Sequence, residues 1–269
     1  MTEYRACELT IDGQVATVTI LAPGRLTRGT ADLHWELGDV FSSLRGNNDV
    51  RVVVLTGSDG QFYRPREPGF YETDAAKNYL SKPEGAWQTF TGVLRTHSAM
   101  AEIEKPIIAK VNGPAIGFGS SLVFACDLIV SLDDAAFVDM HLGMGEVPEG
   151  GPSFGIVPGD GGASLVPLFM SPVIAKEYLM LAKRWTGKEL AGHKIINYAV
   201  PNDAALDAKV SELATALLKR PSYALAWTKR VINRRIVDAL NMSLDAGAAY
   251  EMVNFLQLEK FGWRDPKTL

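Results

Sequence analysis

Residues 112–130 read NGPAIGFGSSLVFACDLIV, a glycine-bracketed turn running into an apolar helix. The first turn of a helix leaves backbone N–H groups unpaired, with the positive end of the helix dipole behind them. Such a turn suits an anion, or an oxygen that becomes negative during a reaction. Yet no acid or base follows on that helix. Ser120 and Ser121 come next, and a serine is no general base near neutral pH without help. The proton carrier must lie elsewhere, and histidine is the side chain whose ordinary pKa lies closest to neutrality. The chain has four: His34, His97, His141 and His193. His97 falls mid-helix among mixed residues and His193 at a helix surface position, so both read as bystanders. Carboxylates available to the others are Asp139, Glu146 and Glu149 in a Gly- and Pro-bearing loop, and Asp160 in PGDGG. Asp160 precedes an expected helix start at Gly161 and reads as an N-cap.

These residues need elements to hold them. CELTIDGQVATVTIL reads as a hairpin turning at Asp12-Gly13. Leu33, Leu37, Val40, Phe41 and Leu44 recur at helical spacing over residues 31–45, and VRVVVLTG follows as a buried strand. Residues 57–84 carry Gly, Pro and charge with no clear period and read as an irregular loop. Then come a helix in WQTFTGVLRTHSAMAEI, a strand in PIIAKVNG, a helix over 117–125 and a strand in CDLIVSL. This alternation implies parallel strands joined by helical crossovers, an α/β architecture. Residues 172–183, 203–219, 221–238 and 242–261 all read as helices.

Composition excludes several classes of function. The 269 residues, 47% hydrophobic and 22% charged, suffice for one globular unit with a substantial core. Twenty-seven Lys+Arg against 31 Asp+Glu leave a net charge of -4, with no clustered basic stretch, so no nucleic-acid partner is expected. Neither a signal peptide nor a bilayer-spanning apolar run is present, which predicts no membrane partner and a cytoplasmic protein. Cys7 and Cys126 read as buried free thiols. The scattered histidines and the lack of a Cys pair predict no metal.

KPIIAKVNGPAIGFGSSLVFACDLIVSLDDAAF, followed by GIVPGDGG and AKEYLMLAKRWTGKELAGHKIINYAV, resembles the crotonase (enoyl-CoA hydratase/isomerase) superfamily. The likeness runs from the first hairpin to about residue 240. It implies a ββα spiral core over residues 1–200, a C-terminal helical oligomerisation region over 201–269, and assembly as a homo-trimer or dimer of trimers. The family's shared chemistry is stabilisation of an enolate, usually of a CoA thioester, by two backbone N–H groups. One donor falls on Phe118. The other falls on Arg64 in QFYRPRE, where Phe62 matches the family's Phe and Pro65 stands where glycine is usual. A residue before proline is pushed toward extended backbone, so this loop is expected to differ. Of the two glutamates that hydratases of the family use, the first is replaced by Ser121 and the second by about His141, which disfavours ordinary hydration.

The chain also resembles a divergent branch, the oxocamphor hydrolase type of β-diketone hydrolase, in HWEL, FVD and GIVPGDG and in lacking the usual C-terminal extension. That resemblance implies His34 as the base that activates water and Asp139 as the residue orienting it. Departures from the branch are Phe118 in place of a histidine and a longer HLGMGEVPEGGPSF segment. The Phe118 ring either lines an apolar substrate pocket or narrows the site. Phe62, Tyr63, Phe70, Tyr71, Trp87 and Ser121 are further candidates to line it. Expected activity is hydrolysis of a β-diketone C–C bond in a small-molecule substrate with no cofactor. The alternative is hydratase, isomerase or hydrolase chemistry on a CoA thioester, with Glu146, Asp139 or His141 as acid or base. A third reading is a catalytically silent family member.

Overall fold

A computed structural model describes residues 4–22, 30–64, 83–143 and 155–261 of the chain. Phe70, Tyr71, Glu146 and Glu149 lie outside the described residues. The chain opens with strands β1 (Cys7–Asp12) and β2 (Val15–Ile20), an antiparallel hairpin closing at Asp12↔Val15 with Gly13 at φ 54°. Only glycine adopts that left-handed backbone without strain. Helix α1 (Thr30–Gly46) leads to β3 (Val52–Gly57), every residue of which is buried, as a strand covered on both faces requires. Helix α2 (Pro83–Glu102) then precedes β4 (Ile107–Val111), the two-residue β5 (Ala115–Ile116), α3 (Phe118–Phe124), β6 (Leu128–Leu132) and β7 (Ala136–Val138). After α4 (Gly162–Phe169) and α5 (Pro172–Met180) come β8 (Trp185–Thr186), α6 (Gly187–Gly192) and β9 (Tyr198–Val200). Three helices follow within the described residues: α7 (Asp203–Leu218), α8 (Ser222–Ile232) and α9 (Arg234–Phe261).

The main sheet runs β1-β2-β3-β4-β6-β9, parallel after the first hairpin, and a small sheet runs β5-β7-β8. Leu33, Leu37, Val40, Phe41 and Leu44 of α1 are all in the core, as their spacing predicts. Cys7 and Cys126 are buried free thiols. The last helices divide differently from the sequence expectation, with one break at Asn233 and a continuous 28-residue α9 after it. Asn233 is tied down there, its side-chain amide donating to Ala101 O at 3.1 Å. No described helix is long and apolar enough to cross a membrane.

Two close approaches shape the region that holds the site. Tyr63 pairs with the turn after β4, donating its N–H to Pro114 O (2.9 Å) and accepting from Ile116 N (3.0 Å). This lays the 62–64 segment alongside the turn that opens α3. The second is between helices: a Cβ added to Gly92 of α2 would lie 2.8 Å from the His34 carbonyl carbon. Lacking that atom, α2 lies almost backbone to backbone with α1 at His34, and Thr96 Oγ1 donates to His34 O at 2.7 Å.

Candidate active site

The turn before α3 is locked to the end of β7. Gly117 donates its N–H to Val138 O at 2.8 Å and holds φ 56°, ψ -121°, where a β-carbon is strained. A Cβ there would also strike Met140 Cε at 2.9 Å and stand 3.8 Å from His141 Cε1. The amide of Phe118, the next residue, is therefore adjacent to the chain leaving β7. No described backbone or side-chain acceptor takes the Phe118 N–H.

That chain carries Asp139 and His141, two residues apart and brought to the same side by the alternation of extended backbone. Asp139 Oδ1 accepts from His141 Nδ1 at 2.6 Å and also faces the His141 backbone N–H at 3.2 Å. With its Nδ1 so occupied, the imidazole turns Nε2 toward Asp160 Oδ2, at 3.3 Å, and Glu251 Oε1, at 3.7 Å. Asp160 comes from the turn into α4. Gly161, at φ 119°, is the residue at the cap itself, but the Asp160 carboxylate still takes a backbone hydrogen bond from Gly162 at the helix start, and it accepts from Ser121 Oγ at 2.9 Å. Gly162 follows because Asp139 leaves no room for a side chain: a Cβ there would sit 2.3 Å from Asp139 Oδ2.

Glu251 belongs to α9, which crosses the 157–160 segment closely enough that Asn254 Oδ1 accepts from Val157 N at 3.0 Å. Glu251 lies outside every motif in the sequence. Its signal was position: Leu240, Leu244 and Ala248 form the buried stripe of α9, and Glu251 continues it as a carboxylate on an apolar face.

Asp139, His141, Asp160 and Glu251 are all buried, at 1%, 2%, 6% and 6% exposure. Burial works against a charged His141, but Asp160, Asp139 and Glu251 together outweigh it and raise its pKa well above the ordinary value. Burial pushes Glu251 up to about 8 and raises Asp160, in both cases against the pull of His141. Beneath them, Ser120 Oγ and Tyr178 OH are 2.6 Å apart and fully enclosed.

On the other side of the turn the Phe118 ring is wrapped by aromatic edges: His34 at 4.4 Å, His97 at 5.7 Å and Tyr63 at 6.1 Å between centroids. The ring is buried among them. The expected His34–Asp139 pair does not form. Asp139 is taken by His141, and neither His34 nitrogen has a hydrogen-bond partner among the described residues although both are shut off from water. Burial, with a smaller contribution from His97, lowers the His34 pKa to about 3. His97, read as a bystander, is buried in the site wall with Nε2 2.7 Å from Asp160 O, and burial lowers its pKa to about 4 despite that bond. His193 is exposed and rests against Trp185. Phe62 is a core residue, Tyr63 packs against Gly119, and Trp87 is exposed. Arg64 is half-buried, and its Nε has no hydrogen-bond partner among the described residues.

The sequence pattern of the enoyl-CoA hydratase/isomerase family matches residues 10–254. The chain belongs to this family. It is a crotonase-superfamily enzyme with the crotonase fold. Among its relatives, a carnitinyl-CoA dehydratase of Citrobacter koseri is 30% identical over 219 residues, covering 81% of this chain and 77% of that protein. An enoyl-CoA hydratase/isomerase from Mycobacterium paratuberculosis superimposes with a TM-score of 0.82 at 26% identity, covering 97% of this chain and 96% of the other. A β-diketone hydrolase from the cyanobacterium Anabaena, solved with (S)-3-oxocyclohexyl acetic acid, shares the fold with a TM-score of 0.81 at 23% identity, over 96% of both chains. In this member of the family the crotonase turn is flanked by a carboxylate-bound imidazole, and a serine stands at 121.

Proposed function

We propose that the protein hydrolyses a C–C bond of a β-diketone by retro-Claisen cleavage, with His141 and its carboxylates as the proton-handling group. The observation that carries this reading is the imidazole of His141, fixed by Asp139 at 2.6 Å and lodged against Gly117, next to the Phe118 amide. In the reaction, water adds to one carbonyl carbon while the His141–Asp160–Glu251 group accepts its proton. The bond between that carbon and the central carbon breaks, leaving a carboxylic acid, and its electron pair becomes an enolate. The Phe118 N–H, with Arg64 N–H as second donor, holds the enolate oxygen; one such donor is worth about 3 to 4 kcal/mol in a transition state. The stored proton then passes to the enolate carbon, so that diketone and water give a keto acid.

His34 enters this scheme in a different role from the sequence expectation. A pKa of about 3 leaves it too weak a base to activate water, but a neutral imidazole donates well. We assign it to the substrate carbonyl, through the ring nitrogens that no described protein group occupies. The test is incubation with a cyclic 1,3-diketone and, separately, with crotonyl-CoA. Keto-acid formation abolished by His141→Gln supports the reading; turnover of the thioester alone removes it. Thioester chemistry is the second reading, favoured by the similarity to a carnitinyl-CoA dehydratase, and Ser121 weighs against its two-glutamate form. No turnover of either substrate, with no ligand affinity lost in His34→Ala and Asp139→Ala, would leave a silent member.

Assembly as a homo-trimer or dimer of trimers is part of the proposal. Support comes from the exposed apolar residues of the last helices, Tyr223, Trp227, Val231 and Ile232 on α8 and Met242 and Tyr250 on α9. Light scattering of the purified protein gives the mass that decides it.

A further inference from the structure

Asp160 stands just outside the cap of α4, on a turn, and so depends on neighbouring elements for its position. Its carboxylate is held by Ser121 Oγ at 2.9 Å and by the Gly162 N–H. Its main-chain carbonyl has a different partner. In the first turn of α4, Ser164 N and Leu165 N both donate to Gly161 O, at 3.1 and 2.9 Å, and no described backbone N–H reaches Asp160 O. A buried carbonyl left unpaired is costly, so the donor has to come from outside the helix. His97 of α2 supplies it: Nε2 lies 2.7 Å from Asp160 O, and the residue is fully enclosed. A carbonyl only accepts, so Nε2 carries the hydrogen and Nδ1 is left as a bare acceptor. Nδ1 has no partner among the described residues.

A second observation ties the same ring to the same turn. Gly161 holds φ 119°, and a Cβ there would lie 2.3 Å from His97 Nε2 and 2.8 Å from Cε1. The imidazole thus rests against the Asp160–Gly161 peptide, and a side chain at 161 would drive it off Asp160 O. The platform that carries His97 is itself fixed. Helix α2 meets α1 almost backbone to backbone at Gly92, and Thr96, the residue before His97, donates through Oγ1 to His34 O at 2.7 Å.

We propose that His97 is a positioning residue for the proton-handling group: from α2 it grips the Asp160 main chain, so that the carboxylate, pinned to Ser121 through Oδ1, keeps Oδ2 turned toward His141 Nε2. That separation is 3.3 Å in a buried setting, where a charge interaction changes steeply with small movements. Three acids face the His141 ring: Asp139 from the chain leaving β7, Asp160 from the α4 turn and Glu251 from α9. His97 acts on the second of these. Its own ring faces His34, from α1, and the Phe118 ring. It touches neither substrate nor reacting atoms in the scheme above. Its effect on turnover rests on the hydrolase reading; its effect on Asp160 does not.

The full chain, labelled with ¹⁵N-histidine, is followed through a pH titration by long-range ¹H–¹⁵N correlation of its four imidazoles, without substrate. Single substitutions, such as His193→Ala at the exposed ring, assign the signals. In the wild type His97 should be neutral near pH 7 with its proton on Nε2. His97→Leu keeps volume but has no donor, and should lower the His141 midpoint by about one pH unit or more, as withdrawal of a close opposite charge does. His97→Gln, whose amide nitrogen reaches about as far as Nε2, should restore it. On the diketone, His97→Leu should lower kcat on the order of 10²-fold with KM little changed, as a small misplacement of a reacting group does, and His97→Gln should recover most of the rate. Should His97→Leu fail to fold, His97→Asn, whose shorter amide stops short of Asp160 O, replaces it. A His97 proton on Nδ1, or a His141 midpoint that the donor-less variant leaves unmoved, overturns the proposal. Keto-acid formation by the wild type tests the hydrolase reading separately: if no diketone is turned over, the His141 titration still reports how Asp160 is held, so either can fail alone.

Discussion

Two histidine environments flank the Phe118 turn, and they are opposites. His34 and His97 face the ring of Phe118, with no described carboxylate shifting either; burial drives their pKa values down to about 3 and about 4. His141, on the other face, is also buried, but three acids surround it and its pKa goes up. The same side chain is thus held neutral on one side and driven toward its charged form by neighbouring acids on the other. Residue type alone could not divide these roles; the neighbours do it.

The sharpest way to break this contrast is His141→Gln, which keeps the volume and a polar tip but cannot exchange a proton near neutrality. Rates from general acid–base catalysis fall by about 10²- to 10⁴-fold when the group is lost, and a drop in kcat of that order is expected on the diketone. Steady-state kinetics with a circular dichroism melt as fold control measures it. A variant within tenfold of wild type would place the chemistry elsewhere and erase the distinction between the two faces.

The neutral face makes a thermodynamic prediction of intermediate size. A folded-state pKa of about 3 at His34 lies below the unfolded value near 6.5, so the unfolded chain binds the extra proton in the window between them. Stability contributed by the neutral ring is fully present above about pH 6.5 and is lost as pH falls toward 3. At pH 5 the loss is about 2 kcal/mol for His34, and about the same for His97 with its value of about 4. Urea unfolding of wild type and His34→Leu at pH 7 and pH 5 isolates the His34 share. The wild type should lose about 2 kcal/mol more than the variant between the two pH values. Equal losses would mean that His34 already carries its proton in the folded state.

How much of this was legible in the sequence follows from the range of the interactions. The buried stripe of α1, the fully buried β3 and the first hairpin depend on periodicity and turn chemistry within a few residues, and they appear where the residues indicate. The turn at Gly117 was legible for the same reason. The Asp139–His141 pair was within reach too, because residues two apart on extended backbone share a side. His97 had a local signal that was passed over: Phe90, Val93, His97, Met100 and Ala101 form one buried helical stripe. What no local pattern carries is the meeting of β7, the α4 turn and α9, which joins His141 to Asp160 and Glu251 across more than a hundred residues. His34 was matched to Asp139 by resemblance. The structure separates them, because α2 packs against α1 so closely at Gly92 that His34 is held against the Phe118 ring.

The smallest expected effect asks whether Ser121 does chemistry or only holds Asp160. It stands where the family resemblance implies a glutamate, is fully buried, and donates to Asp160 Oδ1 at 2.9 Å. That bond leaves Asp160 Oδ2 as the oxygen facing His141. Ser121→Ala removes one donor and creates almost no cavity, so the net loss should be about 1 kcal/mol of stability, as for a typical intramolecular hydrogen bond. Turnover should change less than tenfold, because Asp160 remains anchored on the α4 turn and His141 remains bound to Asp139. A loss of a hundredfold or more in kcat with unchanged stability would instead make the hydroxyl a participant in proton transfer. The charged face of the turn would then extend onto α3.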